Sequence, residues 1–281
     1  MGTPDQSRAT GSTLSASVKS KELYKEMSSY ATALPGQDTL IACWRSLAKL
    51  SPGARVVKST VAVAAVFPSW APLNNAVMLP AADGALAAKA ASQLTPVFAD
   101  AGVDTWALWL SSRATDLDAP DEVQAVDGLT RDTTTLVMQK VLPHGLRRHA
   151  GVIRTSVAAA TRAAGDEPVA VADLPEPDGL PGLDAWALVY DRFAVAGVWS
   201  FLHGTECGIY SLGTHPDWRR RGLARTLMEH VLADAQHRGA RTATLQSTRM
   251  GQPLYESLGL EPVGRYEEWI FQSRHRPAAG T

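Results

Sequence analysis

Three consecutive arginines, Arg219, Arg220 and Arg221, stand against Gly222 and lead directly into Leu223, Ala224 and Arg225, where an apolar-periodic stretch begins. A helix N-terminus is already positive, because its first N–H groups are unpaired and its peptide dipoles align, so arginine there costs stability unless an anion is bound. A strand, a tight Arg/Gly turn and a helix start together offer several free N–H groups to one anion. Gly222 lets a phosphate approach the backbone, small Ala224 keeps the first turn open, and the flanking guanidiniums reach the outer oxygens. This arrangement suits a pyrophosphate. Neither GxxxxGK[ST] nor GxGxxG occurs in the chain, and neither pattern would account for the arginines. The plain structural alternative is a solvated basic turn.

The elements around this turn are readable. Leu223, Leu227, Val231 and Ala235 fall on one helical face, with Ala224, Met228 and Leu232 beside them, and Gly239 ends the helix. Upstream lie a strand block from Trp186 to Leu202, a hairpin-like HGTE and a strand CGIYSLGT. Downstream come ARTATLQST as a strand, QPLYESLGL as a short helix ended by Gly259, and EPVGRYEEWIFQ as one or two strands. The first half alternates similarly. ARVVKSTVAVAAVF (54–67) and NNAVML read as strands, and GALAAKAASQLTPVFADAG as a helix ending at Gly102 that Pro96 should kink or restart. DTWALWLSS and TTTLVMQKVL return to strand, separated by DAPDEVQAVDG as a short helix or loop. A short strand at 151–154, an Ala-rich helix and a Pro/Gly loop at 174–184 then open the second half. The pattern predicts an α/β or α+β fold with a mixed sheet.

The 281 residues allow one large or two ordinary domains, and 45% hydrophobic with 20% charged residues is a globular balance. A net charge of −1 argues against a general nucleic-acid binder. Cys43 and Cys207 are the only cysteines and lack metal-ligand spacing, so no disulfide framework, no metal and a reducing compartment are expected. No membrane span or signal-peptide core is apparent, which predicts a soluble, cytoplasmic protein. Residues 1–34, including KELYKEM as a short helix, and 276–281 read as flexible tails.

The segment YSLGTHPDWRRRGLARTLMEHVL resembles the acyl-CoA-binding core of the GNAT N-acetyltransferase superfamily, whose signature [QR]-x-x-G-x-[GA] is matched by Arg219-Arg220-Arg221-Gly222-Leu223-Ala224. The PLYESLGL segment is similar to that family's LYexlGF helix, and the likeness runs from about residue 147 to 272. It implies a GNAT fold with a mixed central sheet over 147–275, and acetyl-CoA as co-substrate without a metal. The amides of residues 220–225, Arg225 included, would hold the pyrophosphate. Leu212, Gly213 and Thr214 would pair with the pantetheine arm as an added strand, and one of their amides would polarise the thioester carbonyl.

The resemblance makes Tyr255 the general acid that protonates the leaving thiolate, where an apolar-edge tyrosine is the bland alternative. The family's glutamate base would fall at Gly208, so it is missing. Glu206 is the candidate base, sharing a strand face with Gly208 and Tyr210. His203 reads as a solvated turn residue and Cys207 as core. Trp186, Trp199, Trp218 and Trp269 read mostly as core, with some left for an acceptor pocket. Residues 35–146 read as a degenerate GNAT-like or accessory α/β domain, because LPAADGALAAK stands where the signature would be. The expected function is direct transfer of acetyl, or another acyl group, from acyl-CoA to an amine of a small molecule or peptide in a ternary complex. The competing reading is a CoA-binding sensor or scaffold without chemistry. Neither nucleic acid nor membrane is an expected partner, and a homodimer stays open.

Overall fold

A computed structural model describes residues 33–80, 83–165 and 167–273. The KELYKEM segment and most of both expected tails lie outside them. The described residues build an extended mixed sheet with helices on both faces.

The chain enters through helix α1 (Gln37–Leu47), which the sequence reading above did not anticipate. Its signal is present, since Leu40, Ile41, Trp44 and Leu47 recur at helical spacing and all are buried. Strands β1 (Arg55–Lys58), β2 (Ala62–Val66) and β3 (Asn75–Met78) form an antiparallel series. Helix α2 (Gly84–Ala99) then crosses to β4 (Thr105–Ser112), which runs parallel to β3. Pro96 does not restart α2; it sits in the last turn, where the lost N–H removes a single ladder bond and the helix continues to Ala99. DAPDEVQAVDG is a loop. Buried Arg265 fixes the chain just before and within it by donating to the carbonyls of Asp116, Ala119 and Pro120 at 2.8, 2.7 and 2.6 Å.

After β5 (Thr130–Val141) the second half follows: β6 (Val152–Thr155), α3 (Val157–Ala164), the short β7 (Val169–Ala170), β8 (Leu183–Tyr190), β9 (Phe193–His203) and β10 (Glu206–Thr214). Helix α4 (Leu223–His237) leads to β11 (Thr242–Ser247), parallel to β10, then α5 (Gln252–Ser257) and one long β12 (Glu261–Gln272).

The sheet order is β1-β2-β3-β4-β12-β5-β11-β10-β9-β8-β6, with β7 on β9. From β1 or β8 inward the pairings run antiparallel, antiparallel, parallel, antiparallel, and both series meet at the antiparallel β12–β5 pair. The first half thus repeats the topology of the second, and each gives its last strand to the other. Helix α4 packs on Cys207, Ile209 and Val198, while α1 and α3 cover Trp199, Phe201 and Tyr266 on the opposite face. Helix α3 can lie close to the sheet because Gly197 and Gly213 face each other across β9 and β10. A Cβ on Gly197 would overlap the Ala160 carbonyl, and one on Gly213 would stand 2.7 Å from Ala164.

Candidate active site

Strands β10 and β11 run together only as far as the Ile209–Leu245 pair. Beyond it β10 bulges: its register against β9 slips between Tyr210 and Gly213, and Ser211 takes the left-handed φ of +57°. A non-glycine residue held there is strained, a condition that persists only where surrounding structure imposes it. The bulge turns Leu212, Gly213 and Thr214 away from β11 while Gly213 and Thr214 still pair with Gly197 and Ala196 of β9. One edge of this tripeptide is therefore open to an added strand. The buried Thr214 hydroxyl of this tripeptide has no hydrogen-bond partner among the described residues.

The Arg/Gly turn follows at once. A 3-10 turn at Pro216–Trp218 is fixed by His215, whose Nδ1 accepts from the Asp217 amide at 3.2 Å and whose ring meets Trp218 edge-on. Arg219 Nε donates to the Thr214 carbonyl at 3.0 Å, and Arg221 to the Asp217 carbonyl at 3.0 Å. Arg220 has φ +62° and Gly222 φ +79°, two left-handed residues that flank Arg221 in a tight turn. Gly222 is the N-cap of α4 and no side chain caps that helix. The amides of Leu223, Ala224 and Arg225 accordingly have no acceptor, and the Arg220 guanidinium no partner, among the described residues. Thr214, Trp218, Arg219, Arg220, Gly222 and Arg225 line one shallow depression. Free amides, the helix dipole and an unpaired guanidinium fit a pyrophosphate. At the corresponding helix of the first half the cap is filled, since the Asp83 carboxylate accepts from Leu86 N at 2.8 Å. A carboxylate in that place would repel an anion.

Across the gap from the bulge stand Gln246, Thr248 and Tyr255, which with Ile209 to Leu212 border a cavity of about 410 Å³. Tyr255 is buried, and burial pushes its hydroxyl up to about 12, so the proton stays on through the neutral range. Glu206 does not line this cavity. It lies at the other end of β10, where its carboxylate accepts a hydrogen bond from the Thr39 hydroxyl of α1. The position where a glutamate base would stand is also filled, because the Tyr210 ring folds back along the strand and its hydroxyl occupies the space a Gly208 side chain would need. His203 is not in the turn but is the exposed last residue of β9, opposite Glu206, and Cys207 is core. Of the tryptophans singled out above, Trp199 lines the cavity, Trp218 the Arg/Gly depression, and Trp186 and Trp269 are buried in the core. Sequence reasoning missed Trp44, Trp70 and Trp109, the first-half residues that form the cavity's far wall.

Residues 148–260 match the model of the acetyltransferase (GNAT) family. This stretch is a GNAT domain. The GNAT domain contains the bulge, the Arg/Gly turn and Tyr255. Over 57 residues the chain is 37% identical to the ribosomal protein bS18-alanine N-acetyltransferase of Escherichia coli strain K12 and 39% identical to that of Salmonella typhimurium. Each match covers 19% of this chain and 38% of the relative, so the likeness spans about two fifths of those enzymes. In fold the similarity is wider: a GCN5-related N-acetyltransferase from Kribbella flavida superposes with a TM-score of 0.57 at 20% identity, covering 86% of this chain and 98% of that one. Among the described residues no cluster of three or more His, Cys, Asp or Glu could hold a metal ion, and no helix is long and apolar enough to cross a membrane.

Proposed function

We propose that the protein transfers an acetyl or other small acyl group from acyl-CoA to an amine, by direct transfer within a ternary complex. The observation that carries this reading is the continuity of one surface. The unpaired amides after Arg220, the open edge of Leu212 to Thr214 and the Tyr255 hydroxyl follow one another along the opening between β10 and β11. In that reading the Arg219–Arg225 turn binds the pyrophosphate, and the Thr214 hydroxyl and the tripeptide amides hold the pantetheine arm. An amide at the bulge stabilises the oxyanion that forms on the thioester carbonyl. The amine nitrogen forms the new C–N bond as the C–S bond breaks; one proton leaves nitrogen and Tyr255 supplies one to sulfur.

The first half fits as a second GNAT-like copy, given the repeated topology, with its anion site lost to Asp83 and with walls lent to the acceptor side. The domain limits 35–146 and 147–275 go with this reading, and so do a cytoplasmic location and a reducing surrounding. A non-catalytic CoA sensor is favoured by one fact, the lack of a carboxylate in the cavity. Calorimetry with acetyl-CoA on the full chain, paired with thiol release in the presence of amines, separates the two. One site per chain with amine-dependent thiol release supports the transferase. Binding with no release from any amine supports the sensor, and two sites per chain would overturn the assignment of a lost site in the first half.

A further inference from the structure

The cavity beside Tyr255 has an unusual lining for a site that handles amines. It runs from the β10 bulge to α1 and the loop before β3, and no Asp, Glu, Lys, Arg or His lines it among the described residues. Its walls are Trp44, Trp70 and Trp109 from the first half with Trp199 and Tyr210 from the second. Trp70 and Trp199 meet edge-on at 5.1 Å, Trp44 and Trp109 lie 6.1 Å apart, and the Trp199 indole is fixed by donating to Thr161 Oγ1 at 3.2 Å.

An alkylammonium entering this space would give up its hydration without meeting a counter-charge. Attraction to the indole faces recovers only part of that loss. It would also be unreactive until it shed a proton, and no side chain in the cavity can take one: the Glu206 carboxylate is engaged elsewhere and Gly208 carries nothing. A neutral amine avoids both difficulties. Its lone pair is available at once, and an aromatic body has indoles to pack against on several sides. The polar groups in its wall are neutral ones, among them Asn75, Gln246 and Thr248, and the buried Tyr210 hydroxyl has no hydrogen-bond partner among the described residues.

Building on the acyltransferase reading above, we propose that this cavity is the acceptor pocket and that it selects an uncharged, aromatic-sized amine of low basicity, such as an arylamine, with the Tyr210 hydroxyl hydrogen-bonding and orienting it. The missing glutamate is then a matter of specificity: a substrate that arrives unprotonated needs no base to ready it, and its surplus proton leaves after attack through water. Because burial raises the Tyr210 phenol well above its ordinary range, it acts as a donor and not as a base.

The test uses two isomeric probes, para-ethylaniline and para-methylbenzylamine, with the full chain and acetyl-CoA. They match in size, but only the second is cationic at pH 7. Thiol release should favour the aniline by about 10²-fold in kcat/KM, and the ratio should shrink as pH rises toward the benzylamine's pKa. Tyr210→Phe and Trp70→Ala should each raise KM for the aniline by about 3- to 10-fold while leaving acetyl-CoA affinity unchanged. Equal or better use of the benzylamine at pH 7 overturns the proposal. So does a failure of the aniline to be acetylated or to quench tryptophan emission in a protein that binds acetyl-CoA. Benzoyl-CoA binding more tightly than acetyl-CoA and excluding the aniline would assign the cavity to the acyl group and overturn the acceptor role. Failure of acetyl-CoA itself to bind would remove the acyltransferase reading first, and this inference with it.

Discussion

Replacing Gly222 by aspartate should abolish CoA binding at almost no cost to the fold. Gly222 holds φ +79° and an added Cβ would meet nothing within 4 Å, so the conformation, not crowding, sets the penalty. A side chain in the left-handed region costs about 1–2 kcal/mol, and Asp is among the residues that tolerate it best. An N-cap carboxylate accepting from the free amides of α4 returns about 1 kcal/mol, so stability should move by less than about 1 kcal/mol. Binding has no such compensation. At about 5 Å and an effective dielectric of 20, a carboxylate and one phosphate charge repel by about 3 kcal/mol, which exposure and salt reduce to about half. The carboxylate also occupies amide donors whose charge-assisted bonds to phosphate are worth about 1.5–3 kcal/mol each. The affinity for CoA should therefore fall by at least about 10²-fold, read by calorimetry beside a thermal melt. Gly222→Ala, with the strain but not the charge, should bind with intermediate affinity. Wild-type affinity in a folded Gly222→Asp protein would show that this turn does not bind the pyrophosphate.

Tyr255→Phe keeps the ring and removes the proton. Turnover should fall by at least about tenfold with little change in acetyl-CoA affinity, and a variant with wild-type turnover would take Tyr255 out of the mechanism. Gly197→Ala drives a methyl into the Ala160 carbonyl, so α3 must shift; the melting temperature should drop by roughly 2–12 °C, and an unchanged melt would contradict the close packing of α3 on β9. Alkali should unfold the protein through its buried phenols. Burial raises Tyr255 to about 12 and Tyr210 and Tyr266 also upward. With folded pKa values above the unfolded value near 10, their contribution is complete below about pH 10 and is lost as pH rises, for Tyr255 between about 10 and 12 and by about 3 kcal/mol in all. Phenolate absorbance should show these three titrating only as the protein unfolds, and all six tyrosines ionising near pH 10 in folded protein would refute it.

What could be read in advance was whatever local periodicity and turn chemistry dictate. The helix from Leu223, its glycine stop, the strand after it and the Arg/Gly turn all follow from residues within a few positions of one another. Helix α1 carries an equally good apolar pattern at Leu40, Ile41, Trp44 and Leu47, but the polar sequence beside it masks the signal. The cavity was hidden for a different reason. Trp44, Trp70 and Trp109 are far apart in the chain, and only the packing of the first half against the second makes them neighbours of Trp199. Alternation did place Glu206 and Tyr210 on the same face of β10. It could not say that Thr39 would engage the carboxylate or that the Tyr210 ring would lie along the strand over Gly208. The exchange of β5 and β12 was equally invisible, because alternation within a strand names its faces and not its neighbours.

That exchange has a consequence for how the chain must be born. During synthesis β1 to β4 emerge early, yet the edge of β4 is completed only by β12, in a pairing that joins Thr105 to Gln272. Meanwhile β5 waits for β11 before it has a partner on its outer side. Neither half can close its sheet from its own residues, so the first half stays open-edged on the ribosome until β12 is out. Closing such distant pairs is slow, and the exposed edges of β4 and β5 are the places where a nascent chain would be caught by another copy or shielded by a chaperone. The strands that bind the halves into a single unit also make β12, synthesised after all the others, a condition for closing the sheet of β1 to β4.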